Sequence, residues 1–468
     1  MQESPDDNGS LGFSPVNKYE QMLTSGSQMY FDVEEMEEIV DFYLESDESE
    51  KALDACNFGL NQHPTAANLM IYKSEIFLEN DKSKEGIEVL QKALELNPCN
   101  PEVLAAMGSL YARMKSSKEA IYYYEKSLTY LDINEQEELL FDLAYEFQNL
   151  RQFDNALKYL MRVLEHSPQN ETAMFEIGMC YSELNKDKEA VIFFEQYLDR
   201  FPYSYIGWFN LANSFMKQAK YDDAIFAFDY SAIINEYFPA AYYGKANGFI
   251  QKEEYEKAIL VLNETFALEQ PHSFVYCTIG ECYEKLNDFD KSLSYYEKSI
   301  EIDPQYADAW IGLGVVYKMK KQYEKAHRHI EKALALDDNH IDALNVKAEI
   351  FEAEMRFEEA YKCYELLLKN EEKDEDSWYN YGTLLEENKE YEKSIDILEM
   401  GYEKTKSSEL FYRMTAVAFI SKNLRLGMSL LEKGLQLYPE EIEKFYEFFP
   451  NYEKSKKVRT LINKYLKK

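Results

Sequence analysis

The side chains best equipped for catalysis are few. Gly312-Leu313-Gly314 spells G-x-G within WIGLGVVYKMKKQYEKA, a pattern shared with loops that cradle phosphate. His327 and His329 stand two apart, and Asp337-Asp338-Asn339-His340 gathers carboxylates and an imidazole, the donor types that hold a metal. Cys277 and Cys282 are thiols five apart. Each group fails on its spacing. Two histidines at i and i+2 of a helix point to different faces. Two cysteines at i and i+5 are about 500° of helical rotation apart. The Asp337–His340 stretch falls in a solvated turn. No phosphate-binding loop with its lysine, no G-x-S-x-G elbow and no H-E-x-x-H helix occurs. No catalytic, cofactor-binding or metal site is expected, and no enzymatic activity.

A different group carries binding chemistry. Phe141, Phe175, Phe209 and Tyr243 follow one another at intervals of 34 residues. Tyr145, Asn210, Asn213 and Asn247 stand beside them, together with the acids Glu138, Asp142 and Glu176. Aromatic rings bury against a partner's apolar side chains, and asparagine offers both a donor and an acceptor to an extended backbone. Carboxylates draw in a segment rich in lysine or arginine. The alternative is that the rings pack against neighbouring parts of their own chain and the asparagines are only solvated.

The period of 34 is the clue to the elements that position these residues. Pro64 and Pro98, and Pro168 and Pro202, are one period apart; Trp208 and Trp310 are three. Aligned on it, residues 33–441 divide into twelve segments, of which the third has two extra residues and the eleventh one fewer. Position 20 of each segment is then always small, from Ala52 and Gly86 to Ser394 and Gly427. Position 11 is aromatic in ten of the twelve, as in Tyr111, Phe215 and Tyr317. Apolar residues at 4, 7, 8 and 11, and again at 20, 24 and 27, recur at helical spacing. Each segment therefore reads as two amphipathic helices joined by a polar turn. Small residues at 8 and 20 let the helices approach, which predicts Gly314 as a packing glycine inside a helix and Gly312 as a glycine at the groove edge.

Trp310, Leu313, Gly314 and Tyr317, followed by Ala326, Ile330 and Ala333, form W-x-x-L-G-x-x-Y then A-x-x-x-I-x-x-A. This pattern resembles the tetratricopeptide repeat. The resemblance implies an all-α fold, a right-handed α-solenoid superhelix of tandem helical hairpins with C-terminal capping helices. It also implies that the first helix of each repeat lines a concave groove, which is where the aromatic and acidic stripe would face. Some members of that family hold a C-terminal carboxylate with a groove lysine and asparagines. Asn213 and Asn247 match one such asparagine, but Phe209 and Tyr243 stand where the lysine belongs, so that clamp is not expected.

Three regions are expected: a disordered acidic and polar tail over 1–28 with a short helix near Tyr19–Leu23, the solenoid over 33–441, and basic capping helices over 442–468. The formal charge of −35 disfavours nucleic acid and anionic membranes and favours a basic or amphipathic protein segment as partner. No apolar run is long enough to span a bilayer, and the polar start lacks the parts of a secretory signal. Six scattered cysteines without a C-x-x-C pair suit a reducing, cytoplasmic setting. The function read from these features is a non-enzymatic interaction scaffold or adaptor binding such a segment in the groove. The alternatives are a self-assembling structural solenoid using the basic C-terminal end, and an accessory subunit of an enzyme complex.

Overall fold

The computed structural model describes residues 14–466. Among them the chain is all-helical, with 27 α-helices, short 3-10 turns and no strand. Contacts gather the described residues into two compact units that divide between Gly248 and Phe249. Within each unit helices pair with their neighbours in chain order, as an α-solenoid requires.

The hairpins follow from local sequence. Helix starts are capped where the chain supplies the residue. Asn170 accepts from the Ala173 N–H at 2.9 Å and opens the Glu171–Glu183 helix. Ser204 accepts from Gly207 at 3.1 Å and opens Tyr205–Lys217. Inside each hairpin the first helix ends on a residue of left-handed conformation. These residues are Asp47, Asp81, Lys115, Arg151, Asn185, Ala219, Glu253, Asn287, Lys321, Met355, Lys389 and Lys422. Their spacing is the sequence period, with its two-residue lengthening and one-residue shortening at the places read above. The residue after each donates its N–H back to position 11, as Lys82 to Phe77 at 2.7 Å and Gln322 to Tyr317 at 2.8 Å. That is the six-to-one closure of a Schellman turn. None of the twelve is glycine, although a left-handed side-chain residue costs roughly 1–2 kcal/mol.

Packing inside the hairpins uses the small and bulky positions. Ala120, Ala156 and Ala190 are buried in one cluster of the first unit with Tyr124, Leu160 and Phe194. In the second unit a Cβ on Gly314 would stand 2.5 Å from Ile330 Cδ1, so the glycine holds two helices in contact. Gly312 departs from its expected place at a groove edge. It is buried, and a Cβ there would lie within 2.7 Å of the Tyr296 ring. Position 6 faces the preceding repeat, because the repeats cross at an angle that the period alone does not reveal.

The two ends also carry structure. Residues 1–13 of the expected N-terminal tail lie outside the described residues. Pro15–Ser25 is a helix, not disordered chain, and is longer than the short one expected. Val16, Tyr19 and Met22 are buried on one face of it. Tyr19 meets Phe31 and Phe58 edge-on at 5.8 and 5.6 Å, and Lys18 pairs with Glu35 at 2.9 Å. This helix covers an apolar side of the first repeat.

At the other end the helices Ile442–Phe448 and Lys456–Leu466 flank a 3-10 turn at Pro450–Lys454. Phe445, Val458 and Ile462 are buried against Tyr412, Phe419 and Leu431. Each such buried side chain is worth roughly 1.5–3 kcal/mol relative to exposure. Two of the lysines at this end pair within the chain: Lys444 with Glu441 at 2.8 Å and Lys464 with Glu432 at 3.3 Å.

Candidate functional site

Four of the predicted stripe residues converge in the first unit. Phe175, on Glu171–Glu183, and Phe209, Asn210 and Asn213, on Tyr205–Lys217, line one surface cavity of about 370 Å³. Gly178, Met179 and Met216 complete its apolar wall, and Asp187 and Lys217 stand at its rim. The Lys217 ammonium donates to the Ser182 carbonyl at 3.1 Å, which fixes the rim. Phe175 is 47% exposed and Asn213 is exposed, so both are open to an incoming group.

The other two lining residues are committed to the fold. Asn210 is only 5% exposed, and its Nδ2 donates to the Met174 carbonyl at 2.7 Å. Its carboxamide lies directly over Gly178, where a Cβ would stand 2.7 Å from Nδ2. The expectation that Asn210 offers its amide to a partner's backbone is therefore corrected: it holds two first helices together. Phe209 is half-buried, with edge-on contacts to Phe228 at 5.7 Å and Phe238 at 5.1 Å. Its ring both forms a cavity wall and packs against its own chain.

The remaining stripe residues do not line this cavity. Phe141 is half-buried against the first unit's core. Tyr145 is 62% exposed on the same Glu137–Asn149 helix. Tyr243 is half-buried and Asn247 exposed, one repeat further on. The cavity also includes Met179, which the sequence reading passed over. Met179 occupies position 9 of its repeat, so the stripe itself was the signal.

The acids form a cluster beside this site. Glu138, Asp142 and Glu146 repeat every fourth residue of Glu137–Asn149, one above the next. Glu138 is exposed and Asp142 half-buried. Burial, then the charges of Glu138 and Glu146, push the Asp142 carboxyl up to about 6. Glu146, absent from the sequence reading, is buried, and its Oε2 has no hydrogen-bond partner among the described residues. Glu176 accepts from Gln148 Nε2 at 2.9 Å, which joins this helix to Glu171–Glu183.

The candidate catalytic groups are built into the fold. His329 stacks on Trp310 and Tyr317, at 5.8 and 5.2 Å between ring centroids. His327 contacts Glu354 at 2.9 Å, and His340 lies 3.6 Å from Asp308. Cys277 and Cys282 are buried, and burial pushes both thiols up, Cys282 to about 12. Among the described residues no group of three His, Cys, Asp or Glu side chains is arranged to hold a metal ion. Among them, too, no helix is long and apolar enough to cross a membrane.

Family models for the tetratricopeptide repeat match residues 101–130, 141–205 and 273–339. The hairpins and left-handed turns described above carry the same register through these segments and beyond them. The chain is a tetratricopeptide-repeat protein. Repeats of this family build protein-interaction scaffolds, and this tetratricopeptide-repeat protein is a scaffold in that general sense. Its chain is also similar to one in the crystal structure of the APC/C hetero-tetramer Cut9-Hcn1. The two share 14% identity over 97% of this chain and 92% of that one, with a TM-score of 0.37. No curated protein matches the chain.

Proposed function

We propose that the cavity between the Glu171–Glu183 and Tyr205–Lys217 helices receives an apolar side chain from a segment of a protein partner. Basic residues of that segment meet Glu138 and Asp142 on the adjoining Glu137–Asn149 helix and Glu176 on the Glu171–Glu183 helix itself. The observation that carries this reading is the convergence of exposed Phe175, Met179 and Asn213 around one apolar recess beside a row of carboxylates. Apolar anchors in a recess supply affinity, and the surrounding charge supplies approach rate and selectivity. Asn213 remains available to a partner's backbone, whereas Asn210 does not.

The test is selection from a displayed library of random peptides. Enrichment of aliphatic or aromatic residues flanked by lysine or arginine is expected. The selected peptides should bind the Phe175→Glu variant at least about tenfold more weakly, as expected for losing a central anchor. Enrichment of acidic peptides, or equal binding by that variant, overturns the proposal. Phe209 is unsuitable for the test, because truncating it also removes its packing on Phe228 and Phe238.

A further inference from the structure

Trp208 and Trp310 occupy the same position in repeats three periods apart, and each donates its indole N–H to a proline carbonyl six residues back. Their surroundings differ. Around Trp310 the chain supplies its own nitrogen groups. The His329 ring lies between Trp310 and Tyr317, at 23° and 6° to their planes. Lys332 Nζ stands 4.2 Å above the Trp310 ring and Lys325 Nζ 5.1 Å above Tyr317. A flat nitrogen-containing ring therefore occupies the space between two aromatic walls, and an ammonium group stands over each wall.

Around Trp208 the walls are kept and the filling is gone. Phe215 takes the place of Tyr317, but Ala227 stands where His329 does. Asp223 replaces Lys325, Phe226 replaces Arg328, and Tyr230 replaces Lys332. The result is a surface cavity of about 510 Å³ walled by Trp208, Phe215 and Phe226 and floored by Ala227. Tyr230 stacks on Trp208 at 4.9 Å and backs Phe226 at 4.7 Å. Three carboxylates, Glu195, Asp199 and Asp223, also line the cavity, and none of them pairs with a cation among the described residues. Lys220 stands 5.6 Å over Phe215, one cation against three carboxylates among the described residues, so negative charge is in excess.

We propose that this cavity binds the side chain of an arginine on a protein partner. Guanidinium is planar and cationic, so it reproduces in one group the flat ring and the positive charge that the Trp310 repeat supplies internally. It stacks on aromatic faces and is weakly hydrated, which lets it leave water for a partly open aromatic recess. Its fork of N–H donors matches carboxylates in the wall. Lysine satisfies the charge but not the stacking. Citrulline keeps the plane and loses the charge. The site shares the Tyr205–Lys217 helix with the Phe175 cavity but none of its lining residues, and it stands or falls independently of that reading.

The test uses the full chain labelled with fluorotryptophan, titrated with acetyl-Gly-Arg-Gly-amide and with its lysine and citrulline counterparts. A saturable shift of the Trp208 fluorine signal is expected with the arginine peptide. Binding should be at least about fivefold weaker for citrulline and weaker for lysine. Asp223→Lys and Phe226→Arg each restore a cation that the Trp310 repeat carries. Both sites are exposed, so the Trp310 and Trp378 signals should not move while binding drops about tenfold. No saturable Trp208 shift up to about 50 mM peptide, a range that covers single-side-chain affinities, overturns the proposal. So does equal binding of citrulline, or undiminished binding by both variants.

Discussion

Replacing Gly178 by alanine tests the contact that floors the candidate site. In a helix interior the change from glycine to alanine is favourable by about 1 kcal/mol. Here the new methyl would stand 2.7 Å from Asn210 Nδ2 and still closer to Oδ1, so the carboxamide must move. Its hydrogen bond to the Met174 carbonyl is then lost, a net loss of about 1 kcal/mol. A buried amide left without a partner costs about 1–3 kcal/mol more. The sum predicts that Gly178→Ala destabilises the Glu171–Glu183 and Tyr205–Lys217 pair by roughly 1–3 kcal/mol, opposite in sign to the helix propensity. With Asn210→Ala already present the obstruction is gone, and the same substitution should stabilise by up to about 1 kcal/mol. The coupling between the two changes is then about 2–4 kcal/mol. Repeat arrays unfold in parts, so the measurement is amide hydrogen exchange of these two helices in all four combinations rather than one global melt. Stabilisation by Gly178→Ala in the natural background, or a coupling near zero, would refute the assignment of Asn210 as the clamp.

Three further outcomes are expected. Asp142 holds its proton more tightly in the folded chain than in the unfolded one, so its ionisation removes stability as pH rises from about 4 to about 6. Asp142→Asn should accordingly stabilise the first unit at pH 8 by about 1 kcal/mol after allowance for solvent screening, and not at pH 4; equal effects at both would refute the burial argument. Met355 is an exposed residue of left-handed conformation, and Met355→Gly should stabilise its hairpin by about 1 kcal/mol in urea denaturation, with destabilisation counting against strain there. Tyr19→Ala should destabilise the N-terminal end by roughly 3 kcal/mol and speed hydrogen exchange in Val33–Glu45; unchanged exchange would show that the first helix does not cap the array.

The repeat and its register were legible because identical units place like residues at like intervals. Position 20 is small in every unit and position 11 is aromatic in ten of the twelve. The candidate site was only half legible. Phe175 and Asn213 lie where the stripe put them, since exposure on a first helix follows from its own period. Asn210 is committed to the fold, and Phe209 combines the two readings left open for it, a cavity wall and a packing ring. Position 6 turns toward the preceding repeat, as Asn210 does to Met174, while the ring at position 5 reaches the second helix of its own repeat; one unit's helical period contains neither contact. Gly312 was misplaced for the same reason. The N-terminal helix was underestimated because three apolar residues in a polar stretch make a weak pattern. Its stability comes from the uncovered first repeat, not from its own propensity. The contrast between Trp208 and Trp310 was present in the sequence, but its meaning appears only once position 23 is seen to lie between positions 4 and 11.

The left-handed turn residues have a wider consequence. Acidic, basic, amide, aliphatic and thioether side chains all occupy that place, so no local preference imposes the backbone there. The hairpin on either side imposes it. A mutation at the turn therefore alters little beyond its own strain, and the place is free to drift. A unit copied into the array or deleted from it brings its turn along without retuning its neighbours, so the length of the array can change in whole repeats while the joints keep their shape.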